Sequence, residues 1–358
     1  MPINVPNNLV FDPSFPLWVP SLTTDGGDDV LEFTNGAGFV DLKDGDNTAV
    51  FQQWAANVSS GNGEDALYFA NGFGAGKTGN GKDFIETAGF FNTLDTGGGA
   101  DDVNLIDSAG AGNIVTRLGE DTITSSFGFI TRLNAGGDND VVTIGAGGGG
   151  EIILGEGDDT ATLFGYVDRL IGLGGNDTVD VKQAGINFAN LGAGDDTFTA
   201  TGFVTSLVTG PGKDTVTIQE ANRVHLGAGD DMFTATGWVT RVNGGEGEDE
   251  IALLGGGFGS GNNGDDTFSN NNRTVDIIGG AGRDSFFFTN DTAEYDRFNG
   301  QTGVDTVFID ESSLSNDQKA ELLGLFGGTI GDRMRVNDDV FIQTLNLQLI
   351  DTEFVDFV

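Results

Sequence analysis

The sequence predicts an all-β fold, a parallel β-roll or β-helix solenoid of about 16 coils at ~18 residues per coil, with a small C-terminal helix-plus-strand cap. Three observations carry this expectation. The pentad Gly-x-Gly-x-Asp, whole or partial, returns with its aspartate at Asp65, Asp83, Asp101, Asp121, Asp140, Asp159, Asp177, Asp196, Asp214, Asp231, Asp249, Asp266, Asp284 and Asp305, in steps of 17 to 21 residues. Between the glycine turns, short stretches alternate apolar and polar residues with period two, as half-buried strands do. The ladder also holds its phase from residue 25 to about 310 of 358, so one elongated domain replaces the two or three globular ones that the length would allow.

Three zones follow in order. Residues 1–24 read as an extended arm, because Pro6, Pro13, Pro16 and Pro20 forbid a helix. Its Phe11, Phe15, Trp18 and Val19 form an apolar strip that either caps its own first coil or adds to a neighbouring subunit. Residues 25–310 are the roll, and Asp29 and Asp46 fall near the same grid at its start. In GAGDDTFTATGFVTSLVTG (192–210), Thr197 to Ala200 reads as a strand with Phe198 inward. A turn at Gly202 follows, then a second apolar stretch through Val204 and Leu207. Coils stacked ~4.8 Å apart would build a rod on the order of 75 Å long. Phe129, Tyr166, Phe203 and Trp238 mark every second coil, either as an internal or semi-exposed stack, the reading burial tendencies favour, or as an exposed contact stripe. Residues 311–358 form the cap: Ser315 to Gln318 has capping-box spacing for a helix ending at Gly327-Gly328, and Leu345, Leu347 and Leu349 alternate as a strand.

Composition narrows the function. Sixty glycines with six prolines exclude collagen, and 37% hydrophobic residues argue against plain disorder. The net charge of −39 repels nucleic acid and anionic membranes and calls for cations as partners. With no cysteine, disulfides and thiolate chemistry are absent. No apolar run approaches the ~18 residues that span a bilayer, so membrane insertion is not expected. The opening Met1-Pro2-Ile3-Asn4 has no signal-peptide pattern.

Glycine permits the positive φ that aims several carbonyl oxygens at one point, and aspartate adds a hard anionic oxygen beside them. Stacked ~5 Å apart, such carboxylates repel by about 3 kcal/mol per neighbouring pair at an effective dielectric near 20. Calcium accepts six to eight oxygens in flexible geometry, and about 13 to 15 such ions between the loops would relieve the column. The fourteen aspartates named above are thus the candidate metal ligands, and replacing Asp196 by Asn should weaken calcium binding more than replacing Asp46.

LGAGDDTF (191–198), LGAGDDMF (226–233), LGEGDDTA (154–161) and IGGAGRDSF (278–286) carry a resemblance to the RTX, or repeats-in-toxin, family of calcium-binding β-rolls. The resemblance implies several calcium ions and secretion by a type I system reading an uncleaved C-terminal signal, a pattern that Asp356-Phe357-Val358 fits. One departure is plain. Such rolls place a motif every nine residues, whereas the half-step positions here hold Gly74, Asn92, Gly110, Ile130, Gly149, Asp168, Ile186, Thr205, Arg223 and Thr240. Calcium is therefore expected along one edge only.

Catalytic motifs are missing. His225 is the one histidine, no His-Glu-x-x-His or Gly-x-Ser-x-Gly occurs, and Arg132, Arg169 and Arg241 are expected to pair within the chain. The expected function is a secreted, calcium-dependent structural protein of a bacterial surface or extracellular matrix, a surface-layer or filament subunit that self-assembles and is not an enzyme. The rivals are a calcium-dependent adhesin that holds a surface glycan and, behind it, a polysaccharide-modifying solenoid enzyme.

Overall fold

A coil of 18 residues cannot bury an apolar face alone, so its core exists only where coils stack. The computed structural model describes residues 3–5, 18–107, 110–271, 273–289, 295–327, 329, 333–336 and 339–358. It is an all-β parallel solenoid of about 16 turns at ~18 residues per turn, with one small helix and further strands at the C-terminal end. No helix among the described residues is long and apolar enough to cross a membrane. The chain divides into two compact units, Met1–Asn187 and Phe188–Val358.

A typical turn of the first unit lays down one strand of eight residues and one of four, such as Phe91–Gly98 and Asp102–Leu105. Each pairs in parallel with its counterparts in the flanking turns, Phe91 opposite Phe73 on one side and Ala111 on the other. The first, fourth and sixth residues of the long strand point inward, as do the second and fourth of the short one. Phe91, Leu94, Thr96, Val103 and Leu105 are buried on this rule. In-register stacking puts like on like: Phe33, Phe51 and Phe69 stack with ring centroids 4.7 and 4.8 Å apart. The strand spacing imposes this face-to-face sandwich, which free aromatic pairs avoid.

Val19–Thr24 pairs in parallel with Ala37–Asp41 and is itself flanked by Ile3–Val5, so the roll begins within the segment read as an arm. Phe11 and Phe15 lie outside the described residues, as do Pro6, Pro13 and Pro16.

In the second unit, Thr197–Ala200 and Val204–Pro211 form the expected pair of strands with Phe198 buried. Leu347–Ile350 pairs in parallel with Asp296–Asn299, and Phe354–Phe357 with Thr306–Ile309, which supplies one further turn. That strand begins at Leu347, because Leu345 sits in the turn before it. Antiparallel pairings of Val340–Ile342 and Met334–Arg335 against these strands complete the cap. The helix runs Asn316–Phe326 with the expected capping box: the Ser315 N–H donates to Gln318 Oε1 and the Gln318 N–H to Ser315 Oγ, at 2.7 and 3.3 Å. Gly327 ends it at φ +71°, and Gly328 is outside the described residues.

In the first unit the corner just before each long strand alternates between an aromatic residue and glycine: Trp18, Gly36, Trp54, Gly72, Phe90, Gly110, Phe129, Gly148, Tyr166 and Gly185. The aromatics are 38 to 53% exposed, and in the second unit Phe203 and Trp238 are 49 and 52% exposed. A methyl placed on Gly36 would stand 2.5 Å from Trp18 Cζ3, and one on Gly256 3.2 Å from Trp238 Cζ3. The Trp18 and Trp238 rings therefore lie over the glycine of the next turn. A ring lying flat covers more than one ~4.8 Å strand spacing, so alternate turns must leave it room. An internal stack does not form: Phe129 and Tyr166 belong to a half-exposed row of the first unit that also takes in Trp18, Trp54 and Phe90, and Phe203 and Trp238 are half-exposed in the second unit.

Candidate metal centre

The glycines four and two residues before each aspartate carry the turn. Gly79 and Gly81 hold φ at +136° and +144°, and Gly97 and Gly99 at +100° and +126°. Where another residue intrudes the sign persists, as at Lys43, Arg117 and Asp138 in the first unit and Asn262 and Gln301 in the second.

All fourteen aspartates named from the sequence are buried, at 0 to 2% exposure, each at the corner that leads into a short strand. In the first unit the N–H of one rung donates to Oδ1 of the next: Asp65 to Asp83 at 2.9 Å, Asp83 to Asp101 at 2.9 Å, Asp101 to Asp121 at 2.7 Å, Asp121 to Asp140 at 2.8 Å, Asp140 to Asp159 at 2.7 Å and Asp159 to Asp177 at 3.0 Å. The second unit repeats the pattern from Asp196 through Asp214, Asp231, Asp249, Asp266 and Asp284 to Asp305, at 2.8 to 3.0 Å. There the Asp305 N–H donates to Glu353 Oε2 at 2.7 Å.

Asp46 is not a rung. Counting back 18 from Asp65 reaches Asn47 and then Asp29, and the Asp29 N–H donates to Asn47 Oδ1 at 3.1 Å while the Asn47 N–H donates to Asp65 Oδ1 at 3.0 Å. The strict step points to Asn47, but a search for acids passes over it. Asp46 belongs instead to an exposed outer ladder of opposite polarity. The Asp46 N–H donates back to Asp28 Oδ1 and the Glu64 N–H back to Asp46 Oδ1, both at 2.9 Å. Asp195, Asp230 and Asp265 accept in the same sense in the second unit. Where both ladders run, they tie a pair of turns in both directions.

Ten inner rungs leave their second oxygen without a donor. Oδ2 of Asp83, Asp121, Asp140, Asp159, Asp214, Asp231, Asp249, Asp266, Asp284 and Asp305 is buried without a hydrogen-bond partner. At Asp65 and Asp101 the hydroxyls of Ser60 and Thr96 lie beside the carboxyl and draw its pKa down. Thr78, Thr116 and Thr209 lie beside Asp83, Asp121 and Asp214 and draw their carboxyl pKa values down. Each of these hydroxyls nevertheless gives its proton to a carbonyl of the next turn, Thr96, Ala135 or Leu226, at 2.7, 2.6 and 2.5 Å. Where glycine stands five residues before the rung, Oδ2 fills its missing side chain. A methyl on Gly244 or Gly261 would stand 2.1 or 1.9 Å from the Oδ2 of Asp249 or Asp266, and 2.9 or 2.7 Å from the next turn's glycine carbonyl.

Burial pushes these carboxyls up against the pull of their backbone N–H bonds, and neighbouring acids add to the rise. Asp140 reaches about 8, Asp65, Asp101, Asp231, Asp249 and Asp284 about 7, and Asp121, Asp159, Asp266 and Asp305 about 6. Asp83 and Asp214 are raised as well.

This donor set is one carboxylate per turn with backbone carbonyls, all hard oxygens, which is the chemistry calcium accepts. Among the described residues no three His, Cys, Asp or Glu side chains gather around one point, so any ion here must draw on main-chain oxygen.

The remaining candidates have ordinary partners. Arg132 and Arg169 both reach Glu151, at 3.1 and 2.9 Å, and Arg241 lies over the Phe258 ring at 5.0 Å. His225 is exposed beside Asn243 Oδ1 at 2.9 Å. No family model, curated protein or solved structure matches this chain.

Proposed function

We propose that the chain is a calcium-stabilised structural solenoid that works outside a bacterial cell as a self-assembling subunit of a surface layer, filament or matrix, with no catalysis of its own. One observation carries the calcium reading: ten buried carboxylate oxygens lack a proton donor in a chain of net charge −39. An ion bound along this ladder supplies the positive charge that the fold otherwise lacks, and its binding free energy becomes folding free energy. The resemblance of the repeat to the RTX pattern supports the same reading and the type I route of export. The structural role rests on extent, since the repeat occupies most of the chain.

Asp140→Asn is expected to weaken calcium binding at least about tenfold and to lower the number of ions held, because it removes an anionic ligand from the middle of the ladder. Asp46→Asn should leave the titration close to wild type. Equal curves for the two variants would reject the inner ladder as the site. Electron microscopy of the purified protein with calcium tests the assembly, where ordered sheets or fibres are expected and dispersed monomers would count against it.

The aromatic row favours a second reading, a calcium-dependent glycan binder. An extended chain of 1,4-linked β-pyranosides turns the same face outward at every second sugar, and the rings recur at every second turn with roughly half of their surface exposed. Phe90→Ala combined with Phe129→Ala is then expected to abolish retention on insoluble β-1,4-glycan while calcium-dependent folding survives. Unchanged retention would leave the row without that role.

A further inference from the structure

Asn47 is the one rung between Asp29 and Asp177 whose side chain carries protons at every pH. Its orientation follows from the network, because Oδ1 takes the Asp29 N–H and so turns Nδ2 to the other side. On that side Nδ2 meets four oxygens: Lys43 O at 3.2 Å, Gly45 O at 2.9 Å, Ser60 O at 3.1 Å and Asp65 Oδ1 at 3.0 Å. Lys43 and Gly45 are the residues four and two before the rung, at φ +64° and +131°, so the positive φ values of the pentad serve to turn these carbonyls toward the rung. Ser60 and Asp65 belong to the next turn. The amide nitrogen therefore occupies a nest of acceptors, and its two protons supply what an oxygen in that place lacks.

From this geometry we infer that Asn47 is a cation-free rung, its amide taking the place of the calcium that the carboxylate rungs need, and that the two turns it joins, Ala37 to Phe51 and Ala55 to Phe69, hold together without metal and template the calcium-dependent turns that follow. The inference rests on the calcium reading of the other rungs. It assigns the stack a starting point: two turns already joined offer a preformed parallel edge, while each later turn must wait for its ion. The inward face of these turns is well filled, with Val40, Ala49, Phe51, Val58, Leu67 and Phe69 at 0 to 3% exposure.

Hydrogen–deuterium exchange of the full-length protein tests this in chelator and in calcium, for wild type and Asn47→Asp. In chelator, wild-type peptides covering Thr48–Phe51 and Ala66–Phe69 should stay protected while those covering Val103–Leu105 and Val141–Ile144 exchange freely. Asn47→Asp should lose protection at Thr48–Phe69 by at least about tenfold in chelator, regain it in calcium, and bind one ion more than wild type. If wild-type Thr48–Phe69 exchanges as fast as the rest in chelator, or Asn47→Asp stays protected there, the inference falls while the calcium reading stands. If the whole wild-type chain stays protected in chelator, the calcium reading falls, and with it the distinction drawn for Asn47.

Discussion

Stripped of divalent cations near pH 8, the chain is expected to lose its β-sheet circular dichroism, and to recover it without metal as the pH falls below about 6. The rung carboxyls rise from an ordinary 3.8 to between about 6 and about 8 in the folded state. Over that interval the folded chain binds more protons than the unfolded one, so stability falls as pH rises. The contribution is fully present below the unfolded value near 3.8 and is gone once pH passes the folded value, about 8 for Asp140. Acid therefore stabilises the metal-free protein, the reverse of ordinary acid denaturation, because a proton on Oδ2 provides the missing donor. With millimolar calcium the ion takes that role, and the same titration from pH 8 to 5 should be nearly flat. A metal-free chain as β-rich at pH 8 as at pH 5 would show that neither proton nor cation is needed in the ladder.

Gly81→Ala is expected to destabilise the calcium-loaded protein by about 4 kcal/mol or more, at the severe end for a single substitution. Gly81 holds φ at +144°, and a Cβ there would stand 1.8 Å from the carbonyl oxygen of Gly63 in the preceding turn. That oxygen is main chain inside a stack, and the Gly81 N–H is itself tied to Gly98 O at 2.8 Å, so the turn cannot swing aside without opening the pairing on one face or the other. Gly324→Ala supplies the control of opposite sign. Gly324 lies within the helix Asn316–Phe326 with nothing within 4 Å of a added methyl, and alanine there should stabilise the helix by up to about 1 kcal/mol. Thermal melts of both variants in calcium decide it, and a Gly81→Ala midpoint close to wild type would mean that the turns do not stack as tightly as the Gly63 to Gly81 approach requires.

The 18-residue period was enough to read the solenoid, its strand pairs and the burial of Phe198, because a repeat that recurs in phase has few ways to bury its apolar residues other than by stacking. The capped helix was equally legible, since Ser315 and Gln318 act on each other across three residues. What the stack alone decided lies along the axis, where the neighbour of a residue is some 18 positions away in the chain. The inward turn of the aspartates and the donation from one rung's N–H to the next rung's Oδ1 are of this kind, as is the opposite sense of the outer ladder through Asp46. Asn47 is uncharged and is passed over in favour of Asp46 when acids are sought, yet in the fold it is the rung whose needs are met, because the Lys43, Gly45 and Ser60 carbonyls meet at its amide only when two turns are in contact. The aromatics before the long strands could be read from the sequence as an internal or semi-exposed stack or as an exposed stripe, and the fold leaves them about half exposed, because their corner precedes the inward-facing positions of the strand.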